Sequence, residues 1–220
     1  MSTDAKKDSN VIENRLEDTF DAVLHLQDRQ ILDAQGRMAG NVDDVELADL
    51  GEGIEITGLL VGTSAFVHRI GGRVGARLVR GYGELRVAEP HRTIPWRVPL
   101  DKVQYVDSAV HLGVDRDGML ERGAERLRLG DLTGMRMTGE RGKVIDARFE
   151  PRDGRLLLRA LVVGRGGPGS LLGYERRDDQ GPWVVAKLIR AWHRHTRVID
   201  VDEVSIDWSA GEVNPRQEGR

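Results

Sequence analysis

The sequence predicts an all-β protein with minor helices, built as two small β-barrels in tandem that form a pseudo-twofold internal repeat. Three observations favour this class: turn residues separate short β-rich segments, each half has a strand with an apolar face, and the second half repeats the first. A shift of 102 positions superposes matching residues without a gap. The matches place Gly40, Val42, Asp44, Leu59, Val61, Gly62 and Gly71 on Gly142, Val144, Asp146, Leu161, Val163, Gly164 and Gly173.

Each half has a turn followed by its most apolar strand. The turns fall at residues 51–53 and 153–154, which are rich in glycine and aspartate. The strands follow at 54–61 and 156–163, where alternate side chains on one face are apolar and both faces are apolar near the end. We therefore expect both strands to face a core and to be covered on both sides near their ends.

A helix and short closing strands complete each predicted unit. The hydrophobic period changes after Gly71 and Gly173, which predicts helices over 73–80 and 182–194. Short strands follow at 92–94 and 101–103 in the first half, and at 197–199 and 202–204 in the second. Several short strands with one helix in about 80 to 90 residues favour a small barrel over an open sheet.

The chain is predicted to contain two domains, a linker and two tails. The domains span 22–112 and 129–208, and a helical linker at 113–128 is indicated by the spacing of its apolar residues. The polar, turn-rich ends at 1–21 and 209–220 are predicted to be flexible tails, because they bury too little apolar surface to offset the entropy of ordering.

Composition excludes several classes of protein. With 39% hydrophobic and 31% charged residues the chain can bury a core, and its apolar runs are too short for a membrane helix. There is no cysteine, which excludes disulfides and agrees with a reducing cytoplasm, and we expect no secretory leader. The net charge of −3 gives no whole-protein reason to expect nucleic-acid binding.

The repeated Gly-x-Val-x-Asp segment, followed by an apolar strand ending near a glycine, resembles the PRC-barrel family. It stands at Gly40, Val42 and Asp44 and again at Gly142, Val144 and Asp146, and the second copy adds an Asp131-Leu132-x-Gly134 segment. This family includes the cytoplasmic domain of the photosynthetic reaction-centre H subunit and the C-terminal domain of a ribosome maturation factor. The resemblance covers most of the chain and implies a non-enzymatic adaptor.

Three features bear on chemistry. Asp44 and Asp146 suit either paired-carboxylate catalysis or a repeated structural role, accepting backbone N–H bonds or pairing with arginine, and repetition favours the structural role. Gly164, Gly166 and Gly169 spell a dinucleotide-loop pattern but lack its βαβ context, which favours a tight turn. His193 and His195 lack the further ligands that zinc needs. We predict no enzyme activity, no cofactor and no metal.

The candidate partner-binding residues are basic trios on the two predicted helices. Intervals of three and four place each trio on one helical face, which indicates either a solvated face or a docking surface for an acidic partner. The trios are Arg73, Arg77 and Arg80, and Lys187, Arg190 and Arg194.

The sequence therefore predicts a cytoplasmic adaptor that binds a protein partner, with the cytosolic face of a membrane complex as one candidate. The alternative is an RNA-associated or ribosome-assembly factor, because residues 165–197 hold seven basic and three acidic side chains. No membrane span is expected, and a homo-oligomer is compatible with the pattern.

Overall fold

The computed structural model describes residues 14–62, 65, 95–123, 126–139, 141–164 and 196–216. These residues are mostly β-structure, which confirms the all-β class. The described helices are two single turns, α1 (Ala22–His25) and α2 (Leu129–Leu132). Within the described ranges, no helix has the length and apolar character that crossing a membrane requires.

The strands are short and follow the order of the chain. Those before residue 113 are β1 (Phe20–Asp21), β2 (Gln30–Leu32), β3 (Met38–Asn41), β4 (Asp44–Asp49), β5 (Ile54–Val61), β6 (Trp96–Pro99), β7 (Val103–Val106) and β8 (Val110–Leu112). Those after it are β9 (Glu121–Arg122), β10 (Leu127–Arg128), β11 (Arg136–Met137), β12 (Lys143–Arg152), β13 (Arg155–Gly164), β14 (Arg197–Asp200), β15 (Val204–Asp207) and β16 (Glu212–Pro215). A 3₁₀ turn precedes both β7 (Leu100–Lys102) and β15 (Val201–Glu203).

Two antiparallel hairpins form the centre of the fold, β4 with β5 and β12 with β13. The predicted turns join them. Gly51 and Gly53 have positive φ in the first turn, and Asp153 and Gly154 have positive φ in the second. Both apolar strands lie where the sequence predicts them, and Leu59 and Leu161 near their ends are fully buried, which confirms cover on both faces.

The described strands form two open sheets rather than two closed barrels. The larger sheet has twelve strands, with the main order β10-β4-β5-β13-β12-β11-β16-β15, and the smaller has the order β3-β2-β8-β7. In the larger sheet β1 pairs with β12, and β10 pairs with β4. Because these strands bond to the opposite half, hydrogen bonding runs between the halves instead of closing each half on itself.

The predicted tails and linker differ from what the structure contains. Phe20 is buried in β1, within the predicted N-terminal tail, and Val213 is buried in β16, within the predicted C-terminal tail. The described part of the predicted helical linker contains strands β9 and β10. Each segment forms backbone hydrogen bonds with a sheet and contributes buried side chains. These are tertiary contacts, which a polar local composition does not predict.

Phe149 illustrates how the core joins the two halves. It lies on β12, fully buried, and its ring stacks on that of Phe20 from β1 with 6.3 Å between centroids. The same cluster of buried apolar residues contains Leu47 and Leu59 from the first half and Leu161 from the second. One core therefore serves both halves.

Truncation of Phe149 is expected to be strongly destabilising. Phe149→Ala should lower the free energy of unfolding by about 3–5 kcal/mol, because it leaves a cavity where the halves meet. Met38→Ala, at an apolar residue 53% exposed, is the control and should change stability by less than about 0.5 kcal/mol. Urea unfolding measures both, and equal effects would show that Phe149 is not a core contact.

Candidate functional site

The six predicted partner-binding residues lie outside the described residues. They are Arg73, Arg77, Arg80, Lys187, Arg190 and Arg194. The helices predicted at 73–80 and 182–194 lie outside them too, as do Gly166, Gly169, His193 and His195. Their roles stay predictions from the sequence.

The repeated motif lies at the start of each central hairpin, and its aspartate lies in the hairpin's first strand. Gly40 is in β3 and Asp44 begins β4, whereas Val144 and Asp146 lie in the longer strand β12 and Gly142 immediately precedes it. The two valines of the motif and both aspartates are buried. The structure therefore places the motif in the interior, at the contact between the halves.

Asp146 binds the first turn of a helix that belongs to the other half. Its carboxylate accepts hydrogen bonds from the backbone N–H of Val23 at 2.8 Å and of Leu24 at 3.3 Å, both in α1. It also accepts one from Ala147 N–H at 2.7 Å. Since the first N–H groups of a helix have no partner within it, this distant carboxylate caps α1.

Asp44 makes the reciprocal contact with α2. Its Oδ1 accepts hydrogen bonds from Gly130 N–H at 3.0 Å and from Val45 N–H at 2.8 Å, and the Gln27 amide lies 3.5 Å away. Its Oδ2 is buried without a hydrogen-bond partner among the described residues. Burial raises the pKa of Asp44 to about 7, against the lowering effect of the two N–H bonds.

The short strand beside each helix also pairs with a strand of the other half. We call the segment 127–132, which contacts β4, the first crossing. The segment 20–25, which contacts β12, is the second crossing. In the second crossing Asp21 pairs with Arg148 in register, and their side chains form a salt bridge at 2.8 Å. In the first crossing Arg128 is the register partner of Glu46, so the acidic and basic positions are reversed.

Glu46 forms a buried ion pair on the same strand as Asp44. Its Oε2 accepts hydrogen bonds from Arg97 Nε at 2.6 Å and Thr57 Oγ1 at 2.7 Å. The Arg97 guanidinium also donates to the Thr57 carbonyl. Gly58 makes room for it, because a Cβ there would lie 2.8 Å from Arg97 Nε and 3.0 Å from the Val98 carbonyl oxygen.

Two exposed apolar side chains lie on the strands that pair with β5 and β13. Trp96 on β6 is 47% exposed, and Val198 on β14 is 52% exposed. The Arg122 guanidinium lies 5.6 Å from the centroid of the Trp96 ring, a cation–π distance. Sequence reasoning missed both residues, because exposure of an apolar residue in a strand depends on what covers that strand.

The buried carboxylates of this region are held by hydrogen bonds within the protein. Asp44, Asp146 and Glu46 all accept hydrogen bonds from protein donors. Within the described ranges, no group of three histidine, aspartate or glutamate side chains is arranged to hold a metal ion.

The chain was compared with protein-family models and with curated proteins, and neither comparison gives a match. The resemblance to the PRC-barrel family stays a prediction based on the residues of the repeated motif.

Loss of Arg97 is expected to destabilise the fold. Arg97→Met should lower the free energy of unfolding by about 3 kcal/mol, because the Glu46 carboxylate stays buried without its cation. Lys102→Met is the control, since Lys102 pairs with the half-exposed Glu121 and should cost less than about 1 kcal/mol. Denaturant unfolding tests the difference, and adding Glu46→Gln to Arg97→Met should recover part of the loss.

The cap at Asp146 is expected to be worth more than an exposed one. Asp146→Ala should cost about 1–3 kcal/mol, because part-buried N–H groups of α1 lose their acceptor. Asp49→Ala is the matched control, since Asp49 is exposed and accepts a hydrogen bond only from a local turn N–H, of Gly51. Thermal unfolding of both variants decides the point, and a loss no greater than that of the control would contradict the capping role.

Proposed function

We propose that this chain is a non-enzymatic cytoplasmic adaptor built from two PRC-barrel-like units, which binds a protein partner through surfaces of both units. The observation that carries the proposal is the pair of exposed apolar side chains, Trp96 and Val198, on corresponding strands. Exposed apolar residues beside polar ones are typical of protein-binding surfaces, and tryptophan is enriched among the residues that dominate binding energy. The cytosolic face of a membrane complex is one candidate partner.

The recurring strand pairing supports the two-unit architecture. The parallel pair β2–β8 corresponds to β11–β16, and the antiparallel pair β7–β8 corresponds to β15–β16. The edge pairs β5–β6 and β13–β14 also correspond. We propose that the predicted domains at 22–112 and 129–208, the second extended to include β16, are two copies of one unit, joined by the exchanged crossings.

Charge supports a partner with acidic groups. The six basic residues predicted to bind a partner precede β6 and β14 in the sequence, so each unit has a basic trio before its exposed apolar residue. Arginine presents several donors to a carboxylate in a fixed geometry, and a tryptophan nearby adds apolar contact area. We propose that each trio and the exposed residue that follows it contribute to one binding surface.

Substitution of the exposed apolar residues should weaken partner binding. Crosslinking and affinity capture from the native cell extract, read by mass spectrometry, should recover a specific protein with the unaltered chain. Trp96→Ser combined with Val198→Ser should reduce its recovery at least tenfold, since interface anchors commonly contribute about 2 kcal/mol or more. Met38→Ser, equally exposed on β3, is the control and should leave recovery unchanged.

Reversal of the basic trios tests the charged part of the surface. Glutamate at all six positions should abolish capture, whereas Arg136→Glu with Arg141→Glu, at exposed residues outside the trios, should not. Recovery of RNA, with an affinity that falls steeply as salt rises, would favour the RNA-associated alternative. Absence of any specific protein, together with turnover of a small substrate, would overturn the proposal.

A further inference from the structure

The two crossings use matching carboxylates but supply them with different donors. Asp146 in the second crossing accepts three backbone N–H bonds that involve both of its oxygens. Asp44 in the first crossing accepts two backbone N–H bonds on Oδ1, while Oδ2 has no hydrogen-bond partner among the described residues. Because a buried charge needs hydrogen bonds to replace water, the second crossing accommodates an ionised carboxylate better than the first.

The surroundings of Asp44 include a second negative group. The Asp131 carboxylate, on α2, opposes ionisation of Asp44, and the Arg128 guanidinium, next to α2, favours it. On the strand of Asp44 itself, Glu46 is committed to Arg97 and Thr57, and the register neighbour on β5 is the apolar Leu60. The remaining side-chain contact is the uncharged Gln27 amide. Among the described residues, Asp131 is the anion and Arg128 the cation that act on Asp44.

Burial is the largest effect on Asp44 and raises its pKa to about 7 in the folded protein, from an ordinary value of 3.8. When the first crossing opens, Asp44 meets water and its pKa returns toward the lower value. Between these two values the closed state holds a proton that the open state has lost, so a rise in pH favours opening. Above pH 7 both states are ionised and the dependence ends.

We propose that the first crossing is a pH-sensitive joint between the two halves, which is tight in mild acid and loosens as the pH rises to neutrality, while the second crossing stays closed. When Asp44 is protonated, α2 and β10 of one half bind β4 of the other half more tightly than when it is ionised. The halves stay connected through α1 and β1, so loosening changes their relative freedom rather than separating them. This device operates whether or not the halves bind a partner.

The backbone amides of Gly130 and Val23 report on the two crossings, because each donates to one of the carboxylates. Hydrogen exchange of the full chain, followed by NMR and expressed as protection factors, separates opening from the intrinsic effect of pH on exchange. The protection of Gly130 should fall by up to about tenfold per pH unit between pH 5 and 7 and level off above pH 7. The protection of Val23 should change far less.

Two asparagine variants distinguish pH-dependent opening of the first crossing from a general loss of stability. Asp44→Asn keeps the acceptor at Oδ1 but cannot ionise, so Gly130 should stay protected at every pH. Asp146→Asn should weaken protection of Val23 and leave the pH dependence at Gly130 in place. Carboxyl-carbon NMR of Asp44 in the unaltered chain should titrate near neutral pH. A pH-independent Gly130, equal loss at both crossings, or an Asp44 that titrates near pH 4 would each overturn the proposal.

Discussion

A carboxylate removed from water has to find hydrogen-bond donors, and in this protein each of two buried aspartates obtains part of its donors from the opposite half of the chain. Asp146 caps α1 and Asp44 caps α2. The short strand next to each helix pairs with the hairpin that carries the capping aspartate. Helices of one turn are too short to be stable alone, so these caps and the sheet hold them in place. The halves therefore depend on each other for their polar contacts as well as for their apolar core.

Strand β4 has two buried carboxylates, Asp44 and Glu46. The cost of removing each from water is compensated in a different way. Glu46 is paired with Arg97 of β6, for which Gly58 on the neighbouring strand leaves room. Among the described residues, Asp44 has no such ion pair and accepts hydrogen bonds from two backbone N–H groups and the Gln27 amide, and its burial raises its pKa. Any change that loosens β4 acts on both halves, because β4 pairs with β10 as well as with β5.

Local patterns predicted the hairpins well and the ends of the chain badly. The strand at 54–61 has the predicted bounds, and the turns at Gly53 and Gly154 lie where glycine spacing indicates, since both features depend on residues close in sequence. The strands at residues 20–21 and 212–215 were expected to be tails, because two to four residues with mixed polarity carry no recognisable period. Their order comes from register partners far away in the chain. The expectation of closed barrels was wrong for the same reason. No local signal shows that an edge strand pairs with the other half.

The sequence by itself determined the β-class, the two matched hairpins and the repeated motif with its two aspartates, because alternation and turn chemistry act over a few residues. Tertiary structure alone decided which half each short helix joins, and hence that the aspartate of the motif has three backbone N–H donors in one crossing and two in the other. It also decided that Trp96 and Val198 face solvent. The physical reason is that hydrogen-bond supply and exposure are properties of what surrounds a residue, and that surrounding is assembled from segments that lie far apart in the chain.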